Sequence, residues 1–399
     1  MKRTILAFCP IFYPHMGGAE RTVFELFSRL IKRHGYTVHL VTINTENAPA
    51  YEFLSGIHVY RIGKSYSNKV IKFLMFQWFF AKLYFGKLYR TKFDIFNVHY
   101  AFPLSIFSIL FALFSKKLLV VTEYHFGLGS EMKVTIDNPA DYYQHHPKYI
   151  NYVSGLVYKL ADFILTISED NKKFIQRYIG SANKVVVIKQ GTDQVFFAPS
   201  FFSPVAKAKL ARGHQFVCVT TSRISPRKNL LDMVAVIGYL RGQNCDVILL
   251  INGTPDRNDQ SYFTELKNSV ATAGLTEYII FNNFVTDEEL RVIYACADLF
   301  FLTSKSEGFG IVNVEALASG TPVITYDTGA AKDFIVNGSN GYITQNNPQS
   351  FAEIARQVLT DANLLKQMRH NARACVEREL NWDHYADRTH DYLAQLSHR

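Results

Sequence analysis

Two glutamates eight residues apart, Glu307 and Glu315, flank a glycine-containing turn in the second half of the chain. Carboxylates accept hydrogen bonds from hydroxyl groups, and two of them would repel a phosphate that touched them directly. This spacing therefore favours contacts with the hydroxyls of a sugar or a ribose. The alternative is a solvated loop glutamate and a second glutamate that only stabilises a helix start through the helix dipole.

Cationic side chains follow another predicted strand, at 216–220, in the sequence S-R-I-S-P-R-K-N. Arg223 and Lys228 lie in a loop and at the start of the next predicted helix, where the helix dipole disfavours positive charge. Ordinary surface positions are the alternative, but the dipole penalty favours a functional role. Preorganised cations are suited to stabilising negative charge that develops on a leaving group.

The elements that would position these groups are strands that each feed a helix. An apolar run at 298–302 predicts a buried strand. The apolar spacing from Val312 to Leu317 predicts a helix, and Gly320 and Pro322 predict its end. The loop between strand and helix contains Glu307, so the two elements would hold this carboxylate at a strand end.

Two such turns carry glycines that let an anion approach the backbone. Unpaired N–H groups at a helix start, together with the helix dipole, form an anion site. Gly308 and Gly310 precede the helix described above, and Gly17 and Gly18 precede a helix in the first half. If the two halves face each other, both turns face one cleft. The first-half turn lacks G-x-G-x-x-G, so the dinucleotide fingerprint is absent, and a tight turn that needs glycine is the alternative.

Strands predicted at 94–98 and 118–122 each end close to a histidine, His99 and His125. Carboxyl ends of strands line the ligand crevice in open α/β sheets, which favours a functional His125. A structural histidine is the alternative, above all for His99. Glu123 and Tyr124 precede His125 and are further candidates for contact with a second substrate, and Glu123 is also a candidate general base.

Length and composition predict two globular domains in 399 residues. The five cysteines are scattered without C-x-x-C, which favours reduced thiols and a cytoplasmic protein. We find no apolar stretch of the roughly 18 residues that a spanning helix needs. Residues 1–195 carry a net charge of +11 and residues 196–399 a net charge of −2, which suggests that the first half faces an anionic partner.

The segment 69–92 contains six basic residues, no acidic residue and eight aromatic residues. At helical spacing Lys69, Lys72, Lys87 and Arg90 fall on one side, with Phe76, Phe79 and Phe80 among them. Lysine stems that lie along aromatic rings are typical of a helix on an anionic membrane surface. The alternative is an amphipathic helix whose aromatic residues belong to the core. No nucleic-acid reader is recognisable, so we expect no nucleic-acid partner.

The stretch 304–322 (S-K-S-E-G-F-G-I-V-N-V-E-A-L-A-S-G-T-P), with E-x7-E around G-F-G, closely resembles the donor-site motif of the retaining GT-B glycosyltransferases of family 4 (group 1). Arg223 and Lys228 match the basic pair of this family. The loop with Pro14, Gly17, Gly18 and Glu20 resembles its P-x-x-G-G-x-E motif. The sequence T-G-A-A-K-D departs from the family's G-G-x-P-E, with Lys332 in place of proline and Asp333 in place of glutamate.

This resemblance implies an α/β GT-B fold, in which two Rossmann-like domains face each other across a cleft. We expect an acceptor-binding domain at 1–196, a nucleotide-sugar-binding domain at 206–379, and a closing helix at 380–399 that packs back on the first domain. The family transfers a sugar from a nucleotide sugar with retained configuration and without a required metal. The chain has no D-x-D motif, which agrees with the last point.

The resemblance also implies roles for individual residues. Glu307 would hold hydroxyls of the donor sugar, Glu315 the ribose, and Arg223 and Lys228 the diphosphate, while His125 would touch the donor sugar. The predicted catalytic residues are Glu307, His125, Arg223 and Lys228. Further predicted donor contacts are Gly17, Gly18, Gly253, Val285, Phe309, Gly310 and Ile311. The predicted acceptor contacts are His99, Glu123 and Tyr124.

We therefore expect a transferase that moves a sugar from a nucleotide sugar, UDP- or GDP-linked, to a glycan or lipid-linked acceptor, with no cofactor and no metal site. It would act in the cytoplasm, peripherally at the membrane. Two alternatives remain open: a non-catalytic scaffold that binds nucleotide sugars, and a nucleotide-sugar epimerase of the same fold. Substrate consumption separates an enzyme from a scaffold, and a transferred sugar separates a transferase from an epimerase.

Overall fold

The computed structural model describes residues 3–14, 17–44, 48–63, 69–100, 109, 117–124, 148–180, 183–255 and 259–396. The chain divides into two compact units. Unit 1 contains the described residues up to Gln190 together with the helix Trp382–Leu396, and unit 2 contains Gly191–Asn381. Among the described residues, unit 2 therefore comes from one part of the chain, whereas unit 1 combines two.

Unit 1 is organised around a sheet of eight strands. These are β1 (Thr4–Phe8), β2 (Thr37–Ile43), β3 (Tyr51–Leu54), β4 (Ile57–Ile62), β5 (Ile95–His99), β6 (Leu118–Glu123), β7 (Phe163–Thr166) and β8 (Val185–Val187). Their order is β3-β4-β2-β1-β5-β6-β7-β8, and every pair is parallel except β3 with β4. The described helices of this unit are α1 (Gly18–His34), α2 (Lys69–Leu83), α3 (Lys148–Leu160), α4 (Glu169–Ile179) and, from the end of the chain, α12 (Trp382–Leu396).

Unit 2 contains a six-stranded, entirely parallel sheet in the order β11-β10-β9-β12-β13-β14. Its strands are β9 (Phe216–Thr221), β10 (Val247–Asn252), β11 (Ile279–Asn283), β12 (Leu299–Leu302), β13 (Val323–Tyr326) and β14 (Gly341–Thr344). Its helices are α5 (Pro204–Ala211), α6 (Leu230–Gly242), α7 (Gln260–Thr272), α8 (Asp287–Cys296), α9 (Ile311–Ala318), α10 (Pro348–Thr360) and α11 (Ala362–Glu379).

Apolar runs explain why these segments are central strands. The four residues of β12 are all buried, as are the six of β10, because helices cover a parallel sheet on both faces. In unit 2, Phe301 of β12 packs edge-on against Phe351 of α10 with ring centroids 5.1 Å apart. This core places the carboxyl ends of the strands, where the loops with polar residues begin, at one edge of the sheet.

The last helix, α12, packs against α1 in unit 1. Arg33 forms ion pairs with Asp387 (2.6 Å) and Asp383 (3.2 Å), and the ring of His34 stacks on that of His390 at 3.9 Å. The predicted return of the closing helix to the first domain is therefore confirmed, as is the α/β fold with two parallel sheets.

The two ends of unit 2 lie side by side. The backbone N–H of Thr192 donates to the carbonyl of Leu380 at 2.9 Å. A Cβ atom on Gly191 would lie 2.1 Å from the carbonyl carbon of Asn381, so only glycine fits at this crossing. The chain thus enters and leaves unit 2 through one tightly packed point.

The basic-aromatic segment 69–92 forms α2 and a π-helical turn at Tyr84–Leu88. Phe76 and Phe80 are buried, and Phe76 packs against Phe8 of β1 at 5.1 Å. Their predicted place on the membrane-facing side is therefore wrong, because residues four apart share the helix face that covers the sheet. The large exposed side chains are instead Leu74, Trp78, Phe85 and Tyr89. The side chains of 69–73, including Lys69 and Lys72, lie outside the described part.

Candidate functional site

A cleft of about 220 Å³ opens at the carboxyl ends of β9, β10 and β11 in unit 2. Because all strands of this sheet are parallel, their carboxyl ends meet at one edge, which is where open α/β sheets bind ligands. The residues that line the cleft are Thr221, Ser222, Arg223, Asn252, Gly253, Thr254, Phe284, Val285, Leu290 and Val312. Three predicted donor contacts, Arg223, Gly253 and Val285, are thus brought together.

Gly253 makes this cleft possible. Its φ is +139°, and a Cβ atom there would lie 1.9 Å from the carbonyl oxygen of Ser222. Its N–H donates to the carbonyl of Asn283 at 2.7 Å. The loops that follow β9, β10 and β11 therefore meet at a position that no other residue can occupy without a backbone shift.

Glu307 lies in the loop between β12 and α9, and its carboxylate is held by two cations. Lys228 Nζ lies 2.5 Å from Oε1, and Arg227 Nη1 lies 3.7 Å from Oε2. Burial raises the pKa of the Glu307 carboxyl, but Lys228 and Arg227 outweigh burial and lower the pKa to about 2. Glu307 is therefore ionised at neutral pH, with about a tenth of its side chain exposed.

The amino end of α9 has the predicted form. Gly310 precedes the helix with a left-handed φ of +76°, and Ile311 is the first helical residue. Phe309 is buried, with its ring 5.3 Å from that of Phe334. Of the predicted donor contacts in this turn, Phe309 therefore serves the core with its side chain, and its backbone is the part left for a ligand.

Glu315 lies within α9 and is buried. It faces the hydroxyl of Tyr294 in α8: burial raises the pKa of Tyr294 well above its usual value, and the charge of Glu315 raises it further. Thr221, at the end of β9, lowers the pKa of the same hydroxyl and also lines the cleft. Glu315 itself does not line the cleft, and its contact with a ribose stays a prediction.

Two residues of this site were missed by the sequence analysis. Arg227, next to Lys228, also donates to the carbonyl of Ser306 at 2.7 Å. Gly329 has a φ of +61°, and a Cβ atom there would lie 2.7 Å from the carbonyl oxygen of Glu307 and 2.8 Å from that of Gly308. The signals were present in the R-K dipeptide and in T-G-A-A-K-D, but neither shows which loop packs on which.

The glycine turn of unit 1 holds one of the chain's own carboxylates. Gly17 N–H donates to Glu20 Oε2 at 3.0 Å, and Gly18 is the first residue of α1. This contact satisfies one of the backbone donors that were predicted to bind an anion. Binding of a donor by Gly17 and Gly18 stays a prediction.

The predicted acceptor contacts of unit 1 form a buried network. His99 Nδ1 lies 2.9 Å from the Tyr124 hydroxyl, and Tyr158 donates to Glu123 Oε2 at 3.0 Å. Burial lowers the pKa of His99 to about 3, so the imidazole is neutral at physiological pH. All four side chains are buried, and their contact with an acceptor stays a prediction. His125 lies outside the described residues.

Neither a metal cluster nor a spanning helix is found in the described part of the chain. There, no group of three or more His, Cys, Asp or Glu side chains is arranged to hold a metal ion. None of the helices described is long and apolar enough to cross a membrane.

Two α/β units, each built on a sheet of mostly parallel strands, with a cleft at the strand ends of unit 2, are the architecture of the GT-B glycosyltransferases. The family model described as "Glycosyl transferases group 1" matches residues 204–374, and "Glycosyltransferase Family 4" matches residues 16–195. The chain belongs to the family 4 glycosyltransferases.

Similar proteins agree with this assignment. The putative glycosyltransferase YtcC of Bacillus subtilis is 24% identical over 366 residues, which cover 88% of this chain and 82% of that protein. Sucrose-phosphate synthase from Thermosynechococcus elongatus has the same fold, with a TM-score of 0.81, 20% identity and 99% of each chain covered. Alr3699/HepE of Anabaena, solved in complex with UDP-glucose, gives a TM-score of 0.74 at 18% identity over 98% of this chain and 99% of that one.

Proposed function

We propose that this glycosyltransferase moves a hexosyl or N-acetylhexosaminyl group from a nucleoside diphosphate sugar to a glycan or lipid-linked acceptor, with retained anomeric configuration. The observation that carries the proposal is the ionised Glu307, which lies between Lys228 and Arg227. A structural neighbour that binds UDP-glucose supports a nucleotide-sugar donor, UDP- or GDP-linked.

The chemistry follows from charge. Departure of a nucleoside diphosphate leaves negative charge on the diphosphate oxygen, and fixed cations stabilise that charge without reorganisation. Arg223 lines the cleft and lies close enough to Lys228 for its charge to act on that ammonium group, which supports a joint role of the two cations toward one diphosphate. Two such cations can do what a divalent ion does in other transferases, which supports a reaction that requires no metal.

Glu307 is suited to holding hydroxyls of the donor sugar. As an ionised carboxylate it accepts hydrogen bonds and offers no proton. A retaining glycosidase uses one carboxylate as the nucleophile and a second as the acid/base. Here Lys228 is bound to Oε1, which makes Glu307 a weaker nucleophile. We therefore assign it to positioning and electrostatics, with attack by the acceptor on the face that the diphosphate leaves.

The test is a screen of UDP-, GDP- and ADP-linked sugars, with membrane extract as the acceptor source, for nucleotide release and for sugar transfer. We expect one donor to be consumed by the wild type, and its transfer to fall at least about 100-fold in Glu307→Gln. Glu277→Gln, an exposed glutamate of unit 2, is the matched control and should keep full activity.

The other outcomes are informative as well. Binding of several donors with turnover of none would favour the non-catalytic scaffold. Conversion of one nucleotide sugar into its epimer, without transfer, would favour the epimerase. Equal activity of Glu307→Gln and the wild type would contradict the proposed site.

We propose that the transferase works peripherally at the cytoplasmic face of a membrane through α2 and the turn that follows it. Trp78 and Phe85 are more than half exposed, and Lys82 lies 5.3 Å from the centre of the Trp78 ring. Arg90 lies over the ring of Tyr89, which is exposed as well. Cations on exposed aromatic rings suit the headgroup region of an anionic lipid surface.

Co-sedimentation with phosphatidylglycerol-containing vesicles tests the membrane proposal. The triple substitution of Lys82, Lys87 and Arg90 to glutamate should release the protein from the vesicles. The same change at Lys209, Lys267 and Arg356, three exposed basic residues of unit 2, should leave binding unchanged. Equal binding of both triple variants would refute the docking role of this segment.

A further inference from the structure

Arg227 connects the two loops that meet at Glu307. It lies in a short turn, Pro226–Lys228, between β9 and α6. Its backbone carbonyl accepts from the N–H of Lys305 at 2.9 Å, and its guanidinium donates to the carbonyl of Ser306 at 2.7 Å. One residue thus ties the loop that carries Glu307 to the turn that carries Lys228.

The two carboxylate oxygens of Glu307 have different partners. Oε1 is bound by Lys228, and Oε2 faces Arg227 at 3.7 Å. Lys228 is as buried as Glu307, whereas about a quarter of the Arg227 side chain is exposed. The strong contact is therefore made by Lys228, and Arg227 stands beside it as a second cation.

This arrangement poses a conflict once a donor binds. A diphosphate that recruits Lys228 competes with Glu307 for the same ammonium group. If Lys228 turned away and no other cation were present, a buried carboxylate would be left uncompensated, which is strongly unfavourable. A guanidinium has five donors, so Arg227 can donate to the carbonyl of Ser306 and still donate to the carboxylate of Glu307.

We propose that Arg227 is a positioning residue that retains Glu307 when Lys228 exchanges this carboxylate for the donor diphosphate. The proposal rests on the proposed function and deepens it. In the free enzyme Lys228 is the main partner of Glu307. In the donor complex Arg227 takes that place, so Glu307 stays ionised and in position while Lys228 adds its charge to that of Arg223.

A double-mutant cycle tests the exchange, with the affinities for UDP and GDP measured by calorimetry. Arg227→Gln should weaken binding of the preferred nucleotide about tenfold, because Lys228 must then remain with Glu307. In the Glu307→Gln background Lys228 has no carboxylate to leave, so the further change Arg227→Gln should have almost no effect on affinity.

The opposite pattern would overturn the proposal. If Arg227→Gln weakened binding equally in both backgrounds, Arg227 would act directly on the diphosphate. If it weakened binding in neither, Arg227 would only support the loop. Lys305→Gln removes a positive charge from the same loop, where only the backbone contacts Arg227, and should keep affinity within about twofold.

Two further measurements separate the proposed exchange from misfolding of a variant and from failure of the proposed function. Arg227→Lys keeps a cation near Glu307 and should retain most of the affinity, which covers the case that Arg227→Gln does not fold. Sugar transfer by the wild type separates the two proposals. If transfer occurs but Arg227 and Glu307 show no coupling, only the proposal that Lys228 exchanges partners is refuted. If the wild type binds neither nucleotide and consumes no donor, both the proposed function and the proposed exchange are refuted.

Discussion

Polar side chains form a pair at the carboxyl ends of the strands in both sheets, but the pair is charged in one sheet and neutral in the other. In unit 2, Lys228 and Glu307 form a charged pair beside an open cleft. In unit 1, His99 and Tyr124 form a neutral hydrogen bond in the interior. A strand end therefore offers a place for a functional group, and charge together with an adjoining cleft distinguishes the pair of unit 2 from that of unit 1.

The two pairs also differ in their contribution to the stability of the fold. A neutral His–Tyr hydrogen bond satisfies two buried groups and stabilises the interior modestly. Two charges taken out of water lose much of their hydration, and their attraction repays that loss only with good geometry. A pair such as Lys228–Glu307 is thus weak evidence for stability, and a catalytic role gives a better account of it.

Substitution of Lys228 should have the largest effect on activity. Lys228→Gln removes one of the two cations that form ion pairs with Glu307 and leaves Arg227 as the other. We expect kcat/KM for sugar transfer to fall at least about 100-fold. Steady-state kinetics with the preferred donor measure this, and a fall of less than about threefold would show that the charged pair serves the structure and not the reaction.

Gly329→Ala should reduce activity by about tenfold, since a Cβ atom there pushes on the backbone of Glu307 and Gly308. Gly274→Ala is the control: its φ is +69°, but a Cβ atom meets nothing within 4 Å. Both alanines carry a similar backbone penalty of about 1 kcal/mol, and the clash in Gly329→Ala adds to it, so thermal unfolding of Gly329→Ala should be affected more. If both variants lost the same activity, displacement of Glu307 would not be the cause.

Acidification should unfold unit 1 before unit 2. The pKa of His99 is lowered to about 3 and that of His39 to about 4, so the unfolded chain binds more protons below about pH 6.5 and stability falls from there. The pKa of Glu307 is lowered to about 2, so its stabilising contribution is lost only below about pH 4.5.

Intrinsic fluorescence can follow this order. Both tryptophans of the chain, Trp78 and Trp382, lie in unit 1, whereas far-UV circular dichroism reports on both units. The fluorescence midpoint should lie at higher pH than the dichroism midpoint, and His99→Gln should shift the fluorescence midpoint to lower pH. Coincident midpoints in the wild type would contradict the comparison.

Loss of the ion pairs between α1 and α12 should have the smallest effect, and only on stability. Arg33→Gln removes contacts with Asp387 and Asp383, whose side chains are about a third and a half exposed. Surface pairs of this kind contribute about 0–1 kcal/mol, and we expect a loss in that range in the free energy of unfolding by urea. Sugar transfer should not change. A loss of more than about 2 kcal/mol would show that these charges act as a buried pair does.

The sequence was sufficient for the fold and for much of the unit 2 site. Buried parallel strands are apolar throughout, and the glycine turn with Glu307 stands next to one of them, so pattern and motif indicate the same edge of the sheet. Arg223 and Lys228 are predicted as site residues because positive charge at a helix start is unfavourable and therefore informative.

Contacts between distant loops were not predictable from the sequence. Nothing local shows that Gly329 packs on Glu307, or that Arg227 rather than a neighbour reaches Ser306. The segment 69–92 shows the same limit: its composition indicated an interface, but Phe76 faces β1 because of sheet packing, and Trp78 is exposed instead. Helical spacing groups residues by face, but it does not say which face the core covers.

The return of α12 to unit 1 has a consequence for synthesis on the ribosome. Among the described residues, unit 2 comes from one part of the chain with adjoining ends, so it can complete its sheet and its core while the helix that follows is still being made. Unit 1 is translated first, but the face of α1 with Arg29 and Arg33 has its partners in residues 382–396. The half of the protein that leaves the ribosome first is therefore finished last.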